Sequence, residues 1–254
     1  MKLKKFIPTS LKKPFWWLFK APQHKAGGFT FWVEIKGYVN LFLDHLFSSA
    51  PKSLAPITIC VANKNRTEAL IQYLMRSILL AENAHLIYLS VHDSGSDDVA
   101  SLEKTLKENL GERLQFEAAT RAFARGTGIN RAVAHAKTSV ILIADADISF
   151  PADIVKKVNF YVKNNRIWFP VCNAYMSKEE NKTTWYYEGK GIVACTKKQF
   201  EGVKGYDENI KTWGLEDSDL WYRFWKNKYF CYRTREKNLV HHWHQSVEGA
   251  IKQW

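Results

Sequence analysis

The chain has 254 residues, of which 46% are hydrophobic and 24% charged. This composition is typical of a globular protein and excludes the disordered and fibrous classes. A chain of this length can bury most of its apolar surface in one large α/β domain and still leave a short extra segment. The net charge is +12 at pH 7, so the distribution of that charge indicates which partners to expect.

The excess positive charge lies in an N-terminal arm, residues 1–56. Nine lysines and only two acidic residues, Glu34 and Asp44, give this arm a net charge of +7. Because the rest of the chain is far less basic, nucleic acid is not an expected partner. The arm also contains Phe15, Trp16, Trp17, Phe19, Phe31 and Trp32. Basic and aromatic residues together predict binding of residues 1–50 to an anionic membrane surface, and a solvated tail is the alternative.

The sequence contains no run of about 18 apolar residues, the length that a transmembrane helix needs. The first residues, Met1 to Pro8, lack the apolar core and the cleavage site of a secretory signal. We therefore expect a cytoplasmic protein, peripheral on the inner face of the cell membrane. Four widely spaced cysteines, none in a C-x-x-C pair, are expected to be small core residues: Cys60, Cys172, Cys195 and Cys231.

The catalytic domain is predicted to begin at residue 57, after the junction between Pro51 and Pro56. Apolar runs predict strands at residues 57–61, 86–91 and 140–144, and helical periodicity predicts helices at 67–80 and 100–110. Strands that alternate with helices of this length favour βαβ units in a doubly wound parallel sheet. The fully apolar run 140–144 is typical of a central strand covered on both faces.

The second half of the chain has a less regular pattern. Pro151 is predicted to occupy the first helical position of a helix that ends near Asn164. Residues 167–174 and 192–196 are predicted strands. Acidic residues in a first turn, with aromatic residues on one face, predict a helix at 216–226.

Polar segments follow three of the predicted strands: residues 63–66, 93–97 and 145–147. In open α/β sheets, ligands bind at the carboxyl ends of the strands, so these segments are candidate binding loops. Asp145 and Asp147, at the end of a buried strand, would not both stay ionised without a cation such as Mg²⁺ or Mn²⁺. The alternative for an isolated D-x-D is a surface turn with two solvated carboxylates.

The surroundings of this D-x-D motif resemble those of known enzymes. Asn130, Ala136 and Asp145 recur at the offsets seen before the D-x-D of family 2 and related GT-A glycosyltransferases. Further segments resemble β-1,4-galactosyltransferases and bacterial chondroitin polymerases: A-N-K-N-R at 62–66, F-A-R at 123–125, G-Y-D-E at 205–208 and W-G-L-E-D-S-D at 213–219. The likeness spans residues 57 to about 245. Leu215 replaces the second glycine of the family's W-G-G-E-D segment, which affects the expected shape of the acceptor pocket.

This resemblance implies a GT-A (Rossmann-like) α/β fold, with a mostly parallel central sheet flanked by helices over residues 57–254. Implied donor-binding residues are Ala62, Asn63, Asn65, Arg66, Asp93, Phe123, Arg125, Asp145, Trp213 and Glu216. Implied ligands of Mn²⁺ (or Mg²⁺) are Asp147, Asp145, His244 and His241, with His244 favoured over His241 and with His242 as a structural residue. Asp217 is the expected general base, which would make the reaction inverting.

The expected function is hexosyl or N-acetylhexosaminyl transfer (EC 2.4) from a UDP-sugar to a hydroxyl of a glycan or lipid-linked glycan. Bacterial lipopolysaccharide or capsule synthesis is the expected setting. An inactive or sugar-nucleotide-binding homologue, a metal-dependent hydrolase or nucleotidyltransferase, and a retaining transferase are the alternatives. The loop 62–66 contains no glycine, which argues against a nucleotidyltransferase, and Asp217 argues against retention.

Overall fold

The computed structural model describes residues 29–47, 53–120, 122–210 and 214–244. The predictions for residues 1–28 and for Trp213 lie outside these described residues. The chain divides into two compact units, Met1–Ser49 and Ala50–Trp254. In the first unit, helix α1 (Phe29–Phe47) is described. Within the described residues, we find no helix with the length and apolarity needed to cross a bilayer.

The second unit is built from alternating strands and helices. Its strands are β1 (Ile57–Asn63), β2 (Ile87–Asp93), β3 (Leu114–Ala118), β4 (Val140–Ile143), β5 (Ile148–Ser149), β6 (Arg166–Trp168), β7 (Val171–Tyr175), β8 (Thr183–Trp185), β9 (Val193–Thr196), β10 (Phe230–Tyr232) and β11 (Arg235–His241). Its helices are α2 (residues 67–79), α3 (Val99–Leu110), α4 (Arg125–His135), α5 (Ile154–Tyr161), α6 (Lys197–Gly202) and α7 (Leu215–Lys226), with 3₁₀ turns at Ala84–Leu86 and Gly111–Arg113.

The strands form two sheets. The larger has the order β10-β6-β9-β4-β1-β2-β3, in which β9 runs antiparallel to both of its neighbours and the other pairs are parallel. The smaller has the order β5-β11-β7-β8. The structure therefore confirms an α/β fold with a mostly parallel, mixed sheet flanked by helices. The antiparallel strand β9 departs from the doubly wound parallel sheet that the alternating pattern predicted.

The buried side chains form two hydrophobic cores, to which alternate residues of the central strands contribute. In β1, Ile57, Ile59 and Val61 pack with leucines of α2 and α3, while Cys60 packs with Ile129 and Val133 of α4. Successive side chains of a strand point to opposite faces, so a continuous apolar strand joins both cores. All four cysteines are free and buried, as predicted.

Three predicted elements differ from the structure. The predicted strand at 167–174 is two strands in different sheets, β6 and β7, since Pro170 has no N–H with which to continue a ladder. The helix predicted from Pro151 begins at Ile154, and Pro151 instead accepts a turn hydrogen bond from the Ile154 amide. Helix α2 contains a π-helical segment, Leu70–Met75, between α-helical ends at Thr67–Ala69 and Arg76–Leu79.

The register of the central strands brings the predicted loops to one edge. Asn63 of β1 lies opposite Asp93 of β2, and Cys60 lies opposite Ile143 at the end of β4. The loops that follow these three strands therefore emerge side by side. Gly128 lets α4 approach this edge closely, because a Cβ there would lie 2.6 Å from the Cβ of Ala62.

Candidate active site

Asp93 is the centre of a buried polar network between β1 and β2. Its carboxylate accepts four hydrogen bonds, from the Asn63 amide group, the backbone amides of Gly95 and Ser96, and the Ser96 hydroxyl. The side chain is fully buried. These bonds fix the loop 93–97. The contact between Asp93 and the uracil or ribose of a donor, expected from the sequence, stays a prediction.

The loop after β1 is tied to the loop after β2. The backbone amide of Asn65 donates to Ser96 Oγ at 2.7 Å, and its side chain bonds both the amide and the carboxylate of Asp97. Asn65 has a positive φ of 51° and an exposed side chain. Arg66 extends from this loop, and its Nη2 lies 2.8 Å from Nδ1 of His244. The loop thereby joins the first strand to the histidine segment at the far end of the chain.

Asp147, His241 and His244 form a cluster suited to a metal ion. One potential ligand atom from each residue lies within 4.8 Å of the others. His241 Nε2 is 3.6 Å from Asp147 Oδ1, and His244 Nε2 is 3.3 Å from Asp147 Oδ2. Asp147 is 5% exposed, and its Oδ1 is buried without a hydrogen-bond partner among the described residues. A carboxylate oxygen and two imidazole nitrogens are suitable ligands for Mn²⁺, so these residues fit the expected ion.

The backbone explains why residues so far apart in sequence meet here. Strand β11 pairs with β5, with His241 opposite Ile148, and the amide of His242 donates to the carbonyl of Asp147. The structure thus brings both predicted histidines to Asp147. Asp145 does not belong to this cluster in the described part of the chain.

Arg125 connects Asp145 to Asp217. Its Nε donates to Asp145 Oδ1 at 2.6 Å, and its Nη1 donates to Asp217 Oδ1 at 2.7 Å. Its Nη2 donates to the carbonyl of Gly191 at 2.8 Å. Burial alone would lower the pKa of Arg125, but the two carboxylates raise it well above its ordinary value. The guanidinium therefore stays charged and holds the D-x-D loop and the start of α7 in one arrangement.

Asp217 directs one carboxylate oxygen at protein groups and the other at the space beside the Cα atom of Gly191. Oδ1 accepts from both Arg125 and the hydroxyl of Tyr206, the latter at 2.9 Å. Oδ2 would lie 3.2 Å from a Cβ at Gly191, and Asp145 Oδ2 would lie 3.5 Å from it. Because Gly191 has no side chain, this space stays open between the two carboxylates.

Glu216 lies next to Asp217 in the first turn of α7. Its side chain is 5% exposed, and Oε2 has no hydrogen-bond partner within the described residues. Burial, together with the charge of Asp217, raises the pKa of Glu216 above its ordinary value of 4.5. The acidic first turn is also stabilised by the helix dipole.

Two further predicted donor residues differ in exposure. Phe123 is 49% exposed, and Ala62 is partly buried beneath α4.

Sequence reasoning missed Tyr206 and Gly191. Tyr206 is 2% exposed, and burial followed by the charge of Asp217 raises its pKa well above the ordinary value. Its backbone is bound on both sides by the Asn130 side chain, which accepts from the Tyr206 amide and donates to its carbonyl. The G-Y-D-E segment resembled a family segment, but nothing local indicated that its tyrosine reaches Asp217.

Comparison with known proteins finds similarity to glycosyltransferases. Residues 172–245 match the family described as the N-terminal domain of galactosyltransferase. Human chondroitin sulfate N-acetylgalactosaminyltransferase 2 is 24% identical over 216 residues, which cover 74% of this chain and 40% of that protein. Human chondroitin sulfate synthase 3 is 27% identical over 140 residues, or 48% of this chain and 16% of that protein. The chain therefore spans less than half the length of each of these relatives.

Solved structures share the fold at low identity. TarS 1–349 of S. aureus in complex with UDP-GlcNAc has a TM-score of 0.61 at 13% identity, covering 76% of this chain and 60% of that one. The mannosyltransferase PcManGT from Pyrobaculum calidifontis, in complex with GDP-Man and Mn²⁺, has a TM-score of 0.56 at 15% identity, covering 87% and 69%.

The chain has a GT-A-like α/β fold, as its structural neighbours show. In sequence it is related to the galactosyltransferase and chondroitin synthase family of glycosyltransferases.

Proposed function

We propose that the protein is an inverting, divalent-metal-dependent glycosyltransferase that moves a hexose or N-acetylhexosamine from a UDP-sugar to a glycan hydroxyl. The observation that carries this proposal is the convergence of Asp147, His241 and His244 at the carboxyl edge of the sheet. Arg125 ties Asp145, two residues before Asp147, to Asp217. The D-x-D segment thus connects the candidate metal site to the candidate base.

The three ligands favour Mn²⁺, because imidazole nitrogen suits a transition ion better than Mg²⁺. When bound, the ion would supply positive charge that stabilises the diphosphate as it leaves the sugar. Asp147 is proposed as its carboxylate ligand, since its buried Oδ1 has no other partner among the described residues. Asp145 is proposed to hold Arg125 and to face the donor sugar with its partly exposed carboxylate.

A UDP-sugar is the proposed donor. Support comes from the relatives named as N-acetylgalactosaminyltransferases and from the structural neighbour in complex with UDP-GlcNAc. Galactose, N-acetylgalactosamine and N-acetylglucosamine are the proposed sugars. Arg66, Asn65 and Asn63 are proposed to contact the nucleotide from the loop after β1. Arg66 is partly exposed, and as a permanent cation it suits the diphosphate.

Asp217 is proposed as the general base through its Oδ2 atom. The two bonds to Oδ1 fix the carboxylate, so Oδ2 keeps a constant direction toward the space before Gly191. A hydroxyl placed there can transfer its proton to Oδ2 while its oxygen attacks the anomeric carbon. Attack opposite the leaving diphosphate inverts that carbon in one step. Glu216 is proposed to bind sugar hydroxyls beside this base.

The acceptor is proposed to be a glycan or lipid-linked glycan of a bacterial surface polysaccharide, used at the inner face of the cell membrane. Helix α1 supports the membrane part, because it exposes an apolar stripe at helical spacing: Val39, Phe42, Leu43 and Leu46 are 42–58% exposed. An arm with a net charge of +7 would add attraction to anionic lipid.

Vesicle flotation tests the membrane part. The full chain should float with vesicles that contain anionic lipid, and the variant with Phe42→Asp and Leu46→Asp should not. Leu80→Asp, at an exposed leucine of the second unit, is the matched control and should float as the native chain does. Equal flotation of the double variant and the native chain would refute binding through this stripe.

The reaction itself is tested by the release of UDP from a panel of UDP-sugars, with and without Mn²⁺. Slow hydrolysis of one donor that requires Mn²⁺ and is lost in Asp147→Ala would support the proposal and identify the sugar. Asp217→Asn should lower transfer to an acceptor, because the amide cannot accept the proton. Binding of UDP-sugars without any turnover, even with acceptor glycans present, would instead favour a sugar-nucleotide-binding homologue.

A further inference from the structure

His242 is held by several separate parts of the fold. Its ring stacks on Tyr73 with a centroid distance of 3.5 Å and an interplanar angle of 4°. Nε2 lies 2.8 Å from the Ser149 hydroxyl, and Nδ1 lies 3.1 Å from both carboxylate oxygens of Glu180. The Tyr175 ring lies 5.7 Å away. The sequence suggested only an ordinary structural histidine, yet helix α2, strands β5 and β7 and the loop after β7 all contact it.

The hydrogen-bond chemistry assigns a role to each ring nitrogen of His242. A carboxylate oxygen only accepts, so Nδ1 of His242 donates to Glu180. In the neutral imidazole, the Ser149 hydroxyl then donates to Nε2. Both nitrogens are therefore engaged within the protein, and His242 is not available as a metal ligand. Its bonds instead fix the direction of the chain between His241 and His244.

Glu180 also binds the backbone next to His242. Its Oε1 accepts from the amide of Trp243 at 3.1 Å, and the amide of His242 donates to the Asp147 carbonyl at 2.9 Å. Strand β11 ends at His241, so His244 lies beyond the last ladder pair. The Glu180 carboxylate thus holds the segment from which His244 extends.

The backbone of Glu180 is in an uncommon conformation. Its φ is +47°, in the left-handed region that side chains other than glycine and asparagine rarely adopt. Such a conformation is strained in a residue with a Cβ atom. A strained residue whose side chain is directed at His242 and Trp243 suggests a role for that side chain.

We propose that Glu180 is a positioning residue of the metal site, which holds His241 and His244 toward Asp147 through His242 and the Trp243 amide. This inference rests on the metal site of the proposed function. Partners that orient metal ligands from behind commonly change metal affinity by about 10- to 100-fold. Because Glu180 acts through the segment between the ligands, about tenfold is the expected effect.

A calorimetric titration of the full chain with Mn²⁺ measures the effect of Glu180 on metal affinity directly. Glu180→Ala should raise the Kd for Mn²⁺ about tenfold, and Glu180→Gln, which keeps one acceptor oxygen, should raise it less. Glu179→Ala is the matched control, since this exposed neighbour carries the same charge and, within the described residues, forms no hydrogen bond to His242. It should bind Mn²⁺ as the native chain does.

A second variant separates positioning from general damage. His242→Phe keeps an aromatic ring to stack on Tyr73 but loses the bonds to Glu180 and Ser149. Combined with Glu180→Ala, it should weaken Mn²⁺ binding by much less than the product of the two single effects. The rate of UDP release at saturating Mn²⁺ should return to within about twofold of native in Glu180→Ala, since only affinity is lowered.

Equal Mn²⁺ affinity in Glu180→Ala and Glu179→Ala would overturn the positioning role and leave the metal site intact. A rate that saturating Mn²⁺ does not restore would also overturn it. Failure of the native chain itself to bind Mn²⁺ would overturn the proposed metal site. The two failures are therefore distinguishable.

Discussion

Arg125 and Asp217 form an ion pair in which Nη1 donates to Oδ1 at 2.7 Å, with 11% and 15% of the two side chains exposed. The same guanidinium binds Asp145 and the carbonyl of Gly191. One side chain therefore couples the loop after β4, the loop before β9 and the start of α7. The arrangement of the candidate base depends on this residue.

Arg125→Lys should lower the rate of sugar transfer at least about 100-fold, because one ammonium cannot replace three separately directed N–H groups. Removing one partner of a buried pair destabilises by about 3–5 kcal/mol, and a retained charge should reduce this to about 2 kcal/mol. Steady-state kinetics and urea unfolding measure both effects. Arg131→Lys, at an exposed position of the same helix, is the control. A native rate in Arg125→Lys would contradict the coupling.

Tyr206→Phe removes the hydroxyl that donates to Asp217 Oδ1. We expect a roughly tenfold lower kcat, an unchanged KM for the donor and a stability loss of about 1–2 kcal/mol, since Asp217 keeps only one of its two fixing bonds. Tyr229→Phe, whose ring packs on Phe224, should leave kcat unchanged. If both variants behave alike in kinetic assays, Tyr206 does not act on the base.

Gly191→Ala tests the open space between the carboxylates. The new Cβ would lie 3.0 Å from Arg125 Nη2 and 3.2 Å from Asp217 Oδ2, so these atoms must move by a few tenths of an ångström. We expect an activity loss of about tenfold or more with a small change in Tm, because misplacement of reacting groups by fractions of an ångström reduces the rate. At Gly202 the nearest atom to a Cβ is 3.9 Å away, which makes Gly202→Ala a fitting control. Equal activity of the two variants would argue against a reacting space at Gly191.

Glu216 predicts a specific pH dependence of stability. Its folded-state pKa is raised above the ordinary 4.5, so the folded protein binds this proton more tightly than the unfolded chain does. Ionisation of Glu216 therefore destabilises the fold as the pH rises above 4.5. Glu216→Gln should raise Tm at pH 7 relative to native and leave it nearly unchanged at pH 4. Thermal melts at the two pH values check this, and a lower Tm at pH 7 would contradict it.

The central strands were predictable because each is a short apolar run followed by polar residues, as in Ile57–Asn63 and Ile87–Asp93. The break at Pro170 was missed, since Phe169 and Val171 continue the apolar pattern and only pairing with different sheets separates them. The π-helical segment Leu70–Met75 was missed, because Leu70, Leu74 and Ile78 follow the four-residue spacing of an ordinary helical stripe.

The candidate metal cluster of Asp147, His241 and His244 was predictable, since the family resemblance implied all three residues as ligands and the structure brings them together. Glu180 was not predictable, because it reaches His242 across 62 residues from a loop without a motif. Tyr206 was missed for a similar reason: its ring is apolar enough to suggest core packing, and only the fold brings its hydroxyl to Asp217.

The central claim is that Asp147 and the two histidines hold the ion that allows the donor to bind. Calorimetry of UDP with the native chain and with Asp147→Ala, with Mn²⁺ and then with EDTA, tests it most directly. We predict that UDP binds the native chain at least about tenfold more tightly with Mn²⁺, and that Asp147→Ala loses this gain. UDP affinity that is the same in EDTA, or a Mn²⁺ effect that survives in Asp147→Ala, would contradict the account.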